Sequence, residues 1–418
     1  MSSIGWIDFS SQHRDKVRSV LDLLKKPGVI DELGMGVMRD AFADRLFPGI
    51  STIQTRAKYF TLVAYRVQSF MERTHSKTTL EDYLNRKEKS DRIQLVEAHS
   101  EQNELGIIGG TFGSEWNEDV KRKPSSVYWN GLRTFGFISP DISLSEFSSR
   151  LSQKKPSLKQ VLQGSGDDDE GSSSGLEGLQ PRVNIPSPPD TYWDTLEIHL
   201  TPDEALLLRD RMITHQGDSL IGQILQHPEW LLEVLAASQD TLEFDDFCEL
   251  SFLNQISVEG LPETVQHARD FWRIMEGAHI RYNCLLQEGA DDPTLRDEHN
   301  GEWENWLERM TPFPPSWDDS FFWSIVGERA KRIGATKQFV NSWIEETRHG
   351  CPDLEKCNEL VRLQELKNKG SRARLRAENR EGHPSQWIGI ATLNYRLPVA
   401  LQILRDIDAG LNQGGSGV

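Results

Sequence analysis

Three clusters of basic residues are the parts of this sequence whose types and spacing could bind a phosphate or another anion. In the first, segment 48–59, hydroxyl residues follow a Pro-Gly turn and precede Arg56 and Lys58. Hydroxyls and free amides at a helix N-terminus, with two cations one turn later, form an anion site. The alternative is a capped helix whose basic residues pair with Asp40 or Asp44.

The second cluster combines basic and aromatic residues over a short distance: Lys121, Arg122, Lys123, Tyr128, Trp129 and Arg133. If 125–138 is a recognition helix, the cations would contact phosphates, and Asn130 or Arg133 would reach a groove edge. The alternative is an exposed basic turn that precedes a helix with an aromatic core face.

The third cluster is the run KNKGSRARLRAENR, in which the basic residues face only Glu378: Lys367, Lys369, Arg372, Arg374, Arg376 and Arg380. Cations at this density repel each other unless an anionic group lies on them. That group is either nucleic acid or the acidic middle of the same chain.

The formal net charge of −17 disfavours non-specific binding of nucleic acid by the whole molecule. The excess of acid is local, because residues 153–300 carry 28 acidic and 10 basic side chains. Any contact with nucleic acid therefore has to be made by a local basic surface.

None of the short sequence motifs typical of enzymes is present. The chain has no GxxxxGK[ST] loop, no HExxH and no CxxC, and its four cysteines are scattered. We predict no catalytic residue, no cofactor and no metal site. His279, on a helical face with Trp272 and Tyr282, is predicted to be a hydrogen-bonded core histidine.

Helices are the elements that would position these residues. Thr201-Pro-Asp-Glu204 predicts a helix start with a capping box, and Thr78 with Glu81 predicts another for a helix over 79–104. Ser51 or Thr52 is expected to cap the helix that carries the first cluster. Later helices are predicted near 219–227, 229–238, 262–288, 303–310, 317–333, 337–348, 353–369 and 397–410.

A stretch rich in Gly, Ser, Asp and Pro divides the chain. It runs over 152–189 and contains GSGDDDEGSSSGLEGLQP, so we predict a disordered linker between helical domains at 1–151 and 190–412. The fold class is mainly α, with two helical domains. Segment 106–147, where a helix after Pro124 leads to a β-like FGFI run, is compatible with a winged-helix-like module.

The N-terminal residues have no basic region followed by an apolar run, so no secretory signal is predicted. No stretch approaches eighteen uninterrupted apolar residues. We therefore expect a cytoplasmic protein without a membrane partner.

Several phrases of the sequence resemble a bacterial family classed as a domain of unknown function: GWIDFS, DELGMGVMRDAFADRLFPGISTIQTRAKYF, PSSVYWNGLRTFGF, LTPDEALLLRDRM, GAHIRYNCLLQE and NYRLPVALQILRDI. The resemblance implies a link to phage-defence loci that also encode helicases and phospholipase D-like nucleases. It supplies no catalytic residues.

These observations together predict a non-catalytic subunit of a bacterial anti-phage defence complex. It would contact DNA or a DNA-processing partner such as a helicase or nuclease through its basic clusters. One alternative is a pure protein–protein scaffold, since a long linker suits a protein that joins two others. The other is a metal-dependent nucleic-acid hydrolase with an unfamiliar site.

Overall fold

The structure is a computed structural model that describes residues 31–73, 78–99, 106–109, 120, 122–153, 180–239, 241–290, 293–327, 329–379 and 382–413. These residues are mainly helical, as the sequence predicts. The elements are α1 Gly36–Leu46, α2 Lys58–Met71, α3 Leu80–Ala98, α4 Pro124–Thr134, β1 Ile138–Ser139, α5 Leu144–Gln153, β2 Arg182–Val183, α6 Pro202–Gln216, α7 Leu220–Gln226, α8 Pro228–Ala237, α9 Phe244–Phe247, α10 Leu261–Leu286, α11 Thr294–Arg309, α12 Asp319–Val326, α13 Arg329–Arg332, α14 Gly334–Thr347, α15 Leu354–Lys369 and α16 Leu397–Gln413. Short 3₁₀ turns lie at Ser251–Gln255, Gly370–Arg372 and Ala377–Asn379.

The predicted helix limits agree best with the structure where a strong capping signal is present. Thr201 Oγ1 accepts a hydrogen bond from the Glu204 amide at 3.3 Å, and Glu204 Oε2 accepts one from the Thr201 amide at 2.9 Å. The predicted capping box is therefore confirmed as the start of α6.

Two predicted helices have different limits in the structure. The side chain of Thr79, rather than Thr78, caps α3 by accepting from the amide of Asp82. Thr79 has the extended backbone that a capping residue requires. The helix predicted over 317–333 is divided into α12, which Asp318 caps, and the short α13.

The chain forms two compact units, and each unit combines two separate parts of the sequence. The first unit comprises Met1–Leu46 and Phe244–Tyr395, and the second comprises Phe47–Glu243 and Arg396–Val418. The sequence predicts consecutive domains at 1–151 and 190–412 instead, because a stretch rich in Gly, Ser, Asp and Pro indicates a linker but not which distant helices pack together. In the structure α1 packs on α10 and α12, where Phe42 lies 6.5 Å from Phe271 and 5.5 Å from Phe322 between ring centroids.

Helix α10 is the centre of the first unit and is buried along most of its length. It packs against α11, α14, α15 and α1. The indole N–H groups of Trp306 and Trp343 donate to the carbonyls of Arg273 and Ile274 on α10. Burying an aromatic side chain of this size contributes roughly 1.5–3 kcal/mol, so these tryptophans are main elements of the core.

The second unit is built on two helix pairs. Helix α6 packs against α16, while α2 packs against both α3 and α4. Phe60 on α2 contacts the rings of Tyr128 and Phe135, with centroids 4.8 Å and 5.3 Å away. The close approach of α4 needs Gly131, because a Cβ there would lie 2.4 Å from the Phe60 ring.

The end of the predicted linker belongs to the folded part of the second unit. Arg182–Val183 pairs antiparallel with Ile138–Ser139, and Ile185 is buried. Residues 154–179 of that linker lie outside the described residues. Of the predicted winged-helix-like segment 106–147, the structure describes 106–109, 120 and 122–147, which contain α4, the two-residue strand β1 and the first residues of α5.

Within the described part of the chain, no helix combines the length and the apolar character needed to cross a membrane.

Candidate functional site

The first basic cluster is buried and forms ion pairs inside the second unit. Arg56 is 6 % exposed, and its Nε lies 3.0 Å from both carboxylate oxygens of Asp406 on α16. Lys58 is 2 % exposed, and its Nζ donates to Glu204 Oε2 at 2.7 Å. The partners are thus neither Asp40 nor Asp44, and in this conformation the two cations bind carboxylates of the chain instead of an external anion.

The backbone amides expected to form an anion site already have acceptors. The hydroxyl oxygen of Tyr128 accepts from the amides of Thr55 and Arg56 at 2.8 Å and 3.0 Å, and the amide of Ala57 donates to Asp406 at 2.7 Å. Helix α2 begins at Lys58, several residues after the predicted Ser51 or Thr52 cap, and no side chain caps it.

The second cluster lies partly before α4, at 121–123, and partly on α4 itself, at Tyr128, Trp129 and Arg133. Lys121 lies outside the described residues, and Arg122 is half-buried. Lys123 Nζ donates to Asn85 Oδ1 at 2.6 Å, and Arg133 Nη1 lies 2.6 Å from Asp141 Oδ1.

The aromatic residues of this cluster are core residues of the second unit. Tyr128 is fully buried and Trp129 nearly so. They are not available to stack on a base, and α4 exposes mainly Ser126 and Asn130. The aromatic core face of α4 agrees with the alternative to a recognition helix, whereas the basic turn before it, which that alternative describes as exposed, is half-buried at Arg122 and Lys123.

The third cluster contains the most accessible cations of the predicted site. We call 367–376 the basic segment; it begins in the last turn of α15 and continues into the 3₁₀ turn after it. Lys367 and Arg372 are exposed, and within the described chain neither has a carboxylate at ion-pair distance. Arg376 is exposed and lies 3.9 Å from Glu378.

Two other cations of the basic segment contact an acidic residue from the N-terminal part of the first unit. Glu32 is almost fully buried, and its Oε atoms lie 3.0 Å from Lys369 Nζ and 3.6 Å from Arg374 Nε. The observed acidic partner therefore comes from outside 153–300, the acidic region considered in the sequence. Lys369 is largely covered, whereas Arg374 remains exposed.

Glu365 fixes the backbone of the basic segment. Its two carboxylate oxygens accept from the amides of Arg374 and Leu375 at 2.7 Å and 2.9 Å, and Oε1 also accepts from the hydroxyl of Tyr282 at 2.8 Å. Because Tyr282 lies on the central helix α10, this network anchors the basic segment to the core.

A cavity in the second unit is a site that sequence reasoning missed. It lies between α2, α3 and the start of α4, and Glu88 and Asp91 are among its lining residues. Asp91 binds Arg66 through both carboxylate oxygens. Burial raises the pKa of Glu88 to about 7, while its contacts with Ser125 and Lys123 lower it. The signal was an acidic residue, Glu88, on the same helical face as buried leucines of α3.

His279 is a core residue, but not the hydrogen-bonded histidine that the sequence predicts. It is fully buried, and neither ring nitrogen has a hydrogen-bond partner. Burial lowers its pKa to about 4, and the nearby charge of Asp31 raises it. No group of three or more His, Cys, Asp or Glu side chains suited to a metal is found in the described ranges.

No curated protein and no solved structure shows significant similarity to the chain. The match that covers it is to a family of unknown function, DUF6361, whose profile aligns with residues 1–410. The chain therefore belongs to the DUF6361 family.

Proposed function

We propose that this protein is a non-catalytic subunit that contacts nucleic acid, or an enzyme that processes nucleic acid, through its basic segment. The observation that carries the proposal is the exposure of Lys367 and Arg372 without a neighbouring carboxylate. Both are exposed, and both lack an acidic partner in the described chain, whereas Arg56 and Lys58 are buried in ion pairs.

Backbone phosphates are suitable partners for such a surface. Each phosphate that a cation neutralises releases bound counterions, which makes affinity depend on salt and not on base sequence. The anchoring by Glu365 keeps the segment ordered before binding, so little conformational entropy is lost on contact. With so few exposed cations we expect weak binding, of the non-specific kind.

A role in a bacterial anti-phage defence complex, in the cytoplasm and beside a helicase or nuclease, is part of the same proposal. Its support is the family resemblance of the sequence phrases described above. The fold itself adds only that the protein is mainly helical.

The test is fluorescence anisotropy of the full chain with labelled double-stranded and single-stranded DNA over a range of salt concentrations. The variant K367E/R372E should abolish binding, because it places acidic groups where phosphates would lie. The control K331E/R332E makes the same charge change on α13 of the same unit. Equal losses in both variants would mean that overall charge, and not the basic segment, governs binding.

A protein–protein scaffold is the second candidate, and exposed leucines on α15 favour it. Leu363 is 44 % exposed and Leu366 is 36 % exposed, and their spacing places them on one side of the helix, next to the basic segment. A partner that binds in the absence of DNA, is insensitive to salt and is lost in L363D/L366D would support the scaffold function.

A further inference from the structure

An open groove lies between the end of α8 and the first half of α16, two helices that pack against each other in the second unit. We call it the α8–α16 groove. Its volume is about 590 Å³, which is within the range of small-molecule sites in proteins. Leu235 of α8 is half-buried and Pro398 of α16 is exposed, and both line the groove. The groove therefore has room for a ligand and accessible apolar atoms to contact it.

The exposed face of α8 continues this apolar surface. Leu232 precedes Leu235 by three positions, which places the two leucines on the same side of the helix. Leu232 is 61 % exposed, the highest value among the large apolar residues that the structure describes. A single exposed leucine needs no explanation, but an apolar surface that adjoins a groove is typical of a binding site.

Arg405 is the charged residue in the described lining of the groove, and its guanidinium is only partly used. It is half-buried, and Nη2 donates to the carbonyl of Ser238 at the end of α8. Asp408, one turn further along α16, accepts from Asn412. Among the described residues no carboxylate lies at ion-pair distance from Arg405. The arginine therefore keeps N–H donors that an anionic ligand can use.

The guanidinium selects an anionic group with a single charge. A carboxylate can accept two parallel N–H bonds from an arginine, and its one negative charge balances the one positive charge of the described lining. A phosphate monoester would bring additional negative charge that no second cation of this lining offsets. A cationic group would meet repulsion from Arg405.

We propose that the α8–α16 groove binds a small monocarboxylate with an apolar chain. The carboxylate accepts hydrogen bonds from Arg405, and the chain lies along Leu232, Leu235 and Pro398. A straight-chain fatty acid of medium length has both parts. The site is independent of the basic segment and of the function proposed for it.

Three probes test the two parts of the ligand separately. Octanoate has the carboxylate and the chain, octanol keeps the chain without the charge, and acetate keeps the carboxylate without the chain. Binding of each probe to the full chain is measured by ligand-observed NMR at pH 8, below the concentrations at which octanoate self-associates. The wild type should bind octanoate roughly tenfold or more tightly than either other probe, because only octanoate makes both contacts.

The substitution Arg405→Gln removes the charge but keeps an amide that can donate to the carbonyl of Ser238. The affinity for octanoate should fall roughly tenfold, whereas the affinity for octanol should change little. An arginine with only a capping role at α8 would instead affect both probes alike. Arg209→Gln is the matched control, because Arg209 lies on α6, pairs with Asp210 and is outside the groove lining. It should leave the octanoate affinity unchanged.

A second variant blocks the groove and leaves Arg405 intact. Thr241 is exposed and lines the groove, so Thr241→Trp places a large side chain where the ligand would lie. The affinity for octanoate should again fall severalfold. Circular dichroism of each variant verifies folding, and Thr241→Trp decides the test if Arg405→Gln proves to be unfolded.

The outcomes are distinct. A preference for octanoate that is lost in Arg405→Gln, weakened in Thr241→Trp and kept in Arg209→Gln supports the site. The proposal is overturned by absence of octanoate binding, by equal binding of octanoate and octanol, or by a preference that survives in either folded groove variant. Loss of octanoate binding in K367E/R372E, with binding retained in Arg405→Gln, would assign the carboxylate to the basic segment and would also overturn it.

Discussion

The carboxylate of Glu88 accepts a hydrogen bond of 2.5 Å from the backbone amide of Ser125, in the first turn of α4. Lys123, the N-cap residue of that helix, provides no side-chain cap. A residue of α3 therefore satisfies a free amide of α4 and joins the two helices across 37 positions of the sequence. The same contact places an ionisable group where burial opposes its charge.

The stability of the protein should depend on the protonation of Glu88. Burial raises its folded pKa from 4.5 to about 7, so the folded state binds this proton more tightly than the unfolded state. This contribution is fully present below pH 4.5 and is lost as the pH rises through about 7. The change corresponds to about 3 kcal/mol.

Glu88→Gln removes this titration, so the unfolding free energy of the variant should fall less than that of the wild type between pH 5.5 and 8.5. Urea denaturation at several pH values measures the difference. Parallel pH profiles for the two proteins would contradict the assignment.

Breaking the Lys58–Glu204 ion pair should strongly destabilise the protein. Glu204 also accepts hydrogen bonds from Thr61 and Tyr192, at 2.8 Å and 3.0 Å, so its carboxylate is the centre of a buried network. Lys58→Met leaves that charge without a cation, which costs roughly 3–5 kcal/mol.

The double variant K58M/E204Q should recover part of this loss, because no buried charge is then uncompensated. Lys356→Met is the control, since Lys356 is exposed and 3.6 Å from Glu346, and we expect it to cost less than about 1 kcal/mol. Urea unfolding of the four proteins completes the comparison. A similar small loss in K58M and K356M would refute the role of the pair.

Contacts between sequence neighbours could be predicted from the sequence, whereas contacts between distant residues could not. The capping box of Thr201 and Glu204 involves neighbours in sequence, so it could be predicted, as could the helix over 353–369. The partner of Arg56 is Asp406, 350 positions away, and the partner of Lys58 is Glu204, 146 positions away. Local spacing contains no information about such partners, so two buried cations resembled an exposed anion site.

The candidate cavity shows the same limit. Its polar atom belongs to α3, but the amide that occupies its other oxygen belongs to α4. The sequence indicates only that an acidic residue shares a face with Leu84 and Leu95. Whether such a residue is exposed, paired or left with one free oxygen depends on packing between helices.

Replacing His279 should remove a pH-dependent loss of stability. Its folded pKa is lowered from 6.5 to about 4 by burial, so the unfolded state binds this proton more tightly. The resulting contribution to stability is present above pH 6.5 and is lost as the pH falls toward 4. The full change is about 3 kcal/mol.

His279→Leu should therefore flatten the pH profile of unfolding between 6.5 and 4. At pH 8 it should be close to neutral or stabilising, because it also removes two buried nitrogens without partners. Thermal unfolding at a series of pH values is the measurement. His349→Leu, at an exposed position of the turn after α14, is the control and should keep the wild-type profile shape.

Glu32→Gln should increase the affinity for DNA if the basic segment contacts phosphates. Glu32 now offsets the charges of Lys369 and Arg374, and the variant leaves both charges without this compensation. The slope of log affinity against log salt should become steeper by about 1 for each additional phosphate contacted.

Glu378→Gln is the matched control, because Glu378 is 83 % exposed and lies 3.9 Å from Arg376, where solvent already screens its charge. Since Glu32 is buried, an unfolding curve must first show that the variant is folded at the assay temperature. A folded Glu32→Gln variant whose affinity and salt slope equal those of the wild type would show that Lys369 and Arg374 lie outside the contact, and would restrict it to the cations that Glu32 does not contact.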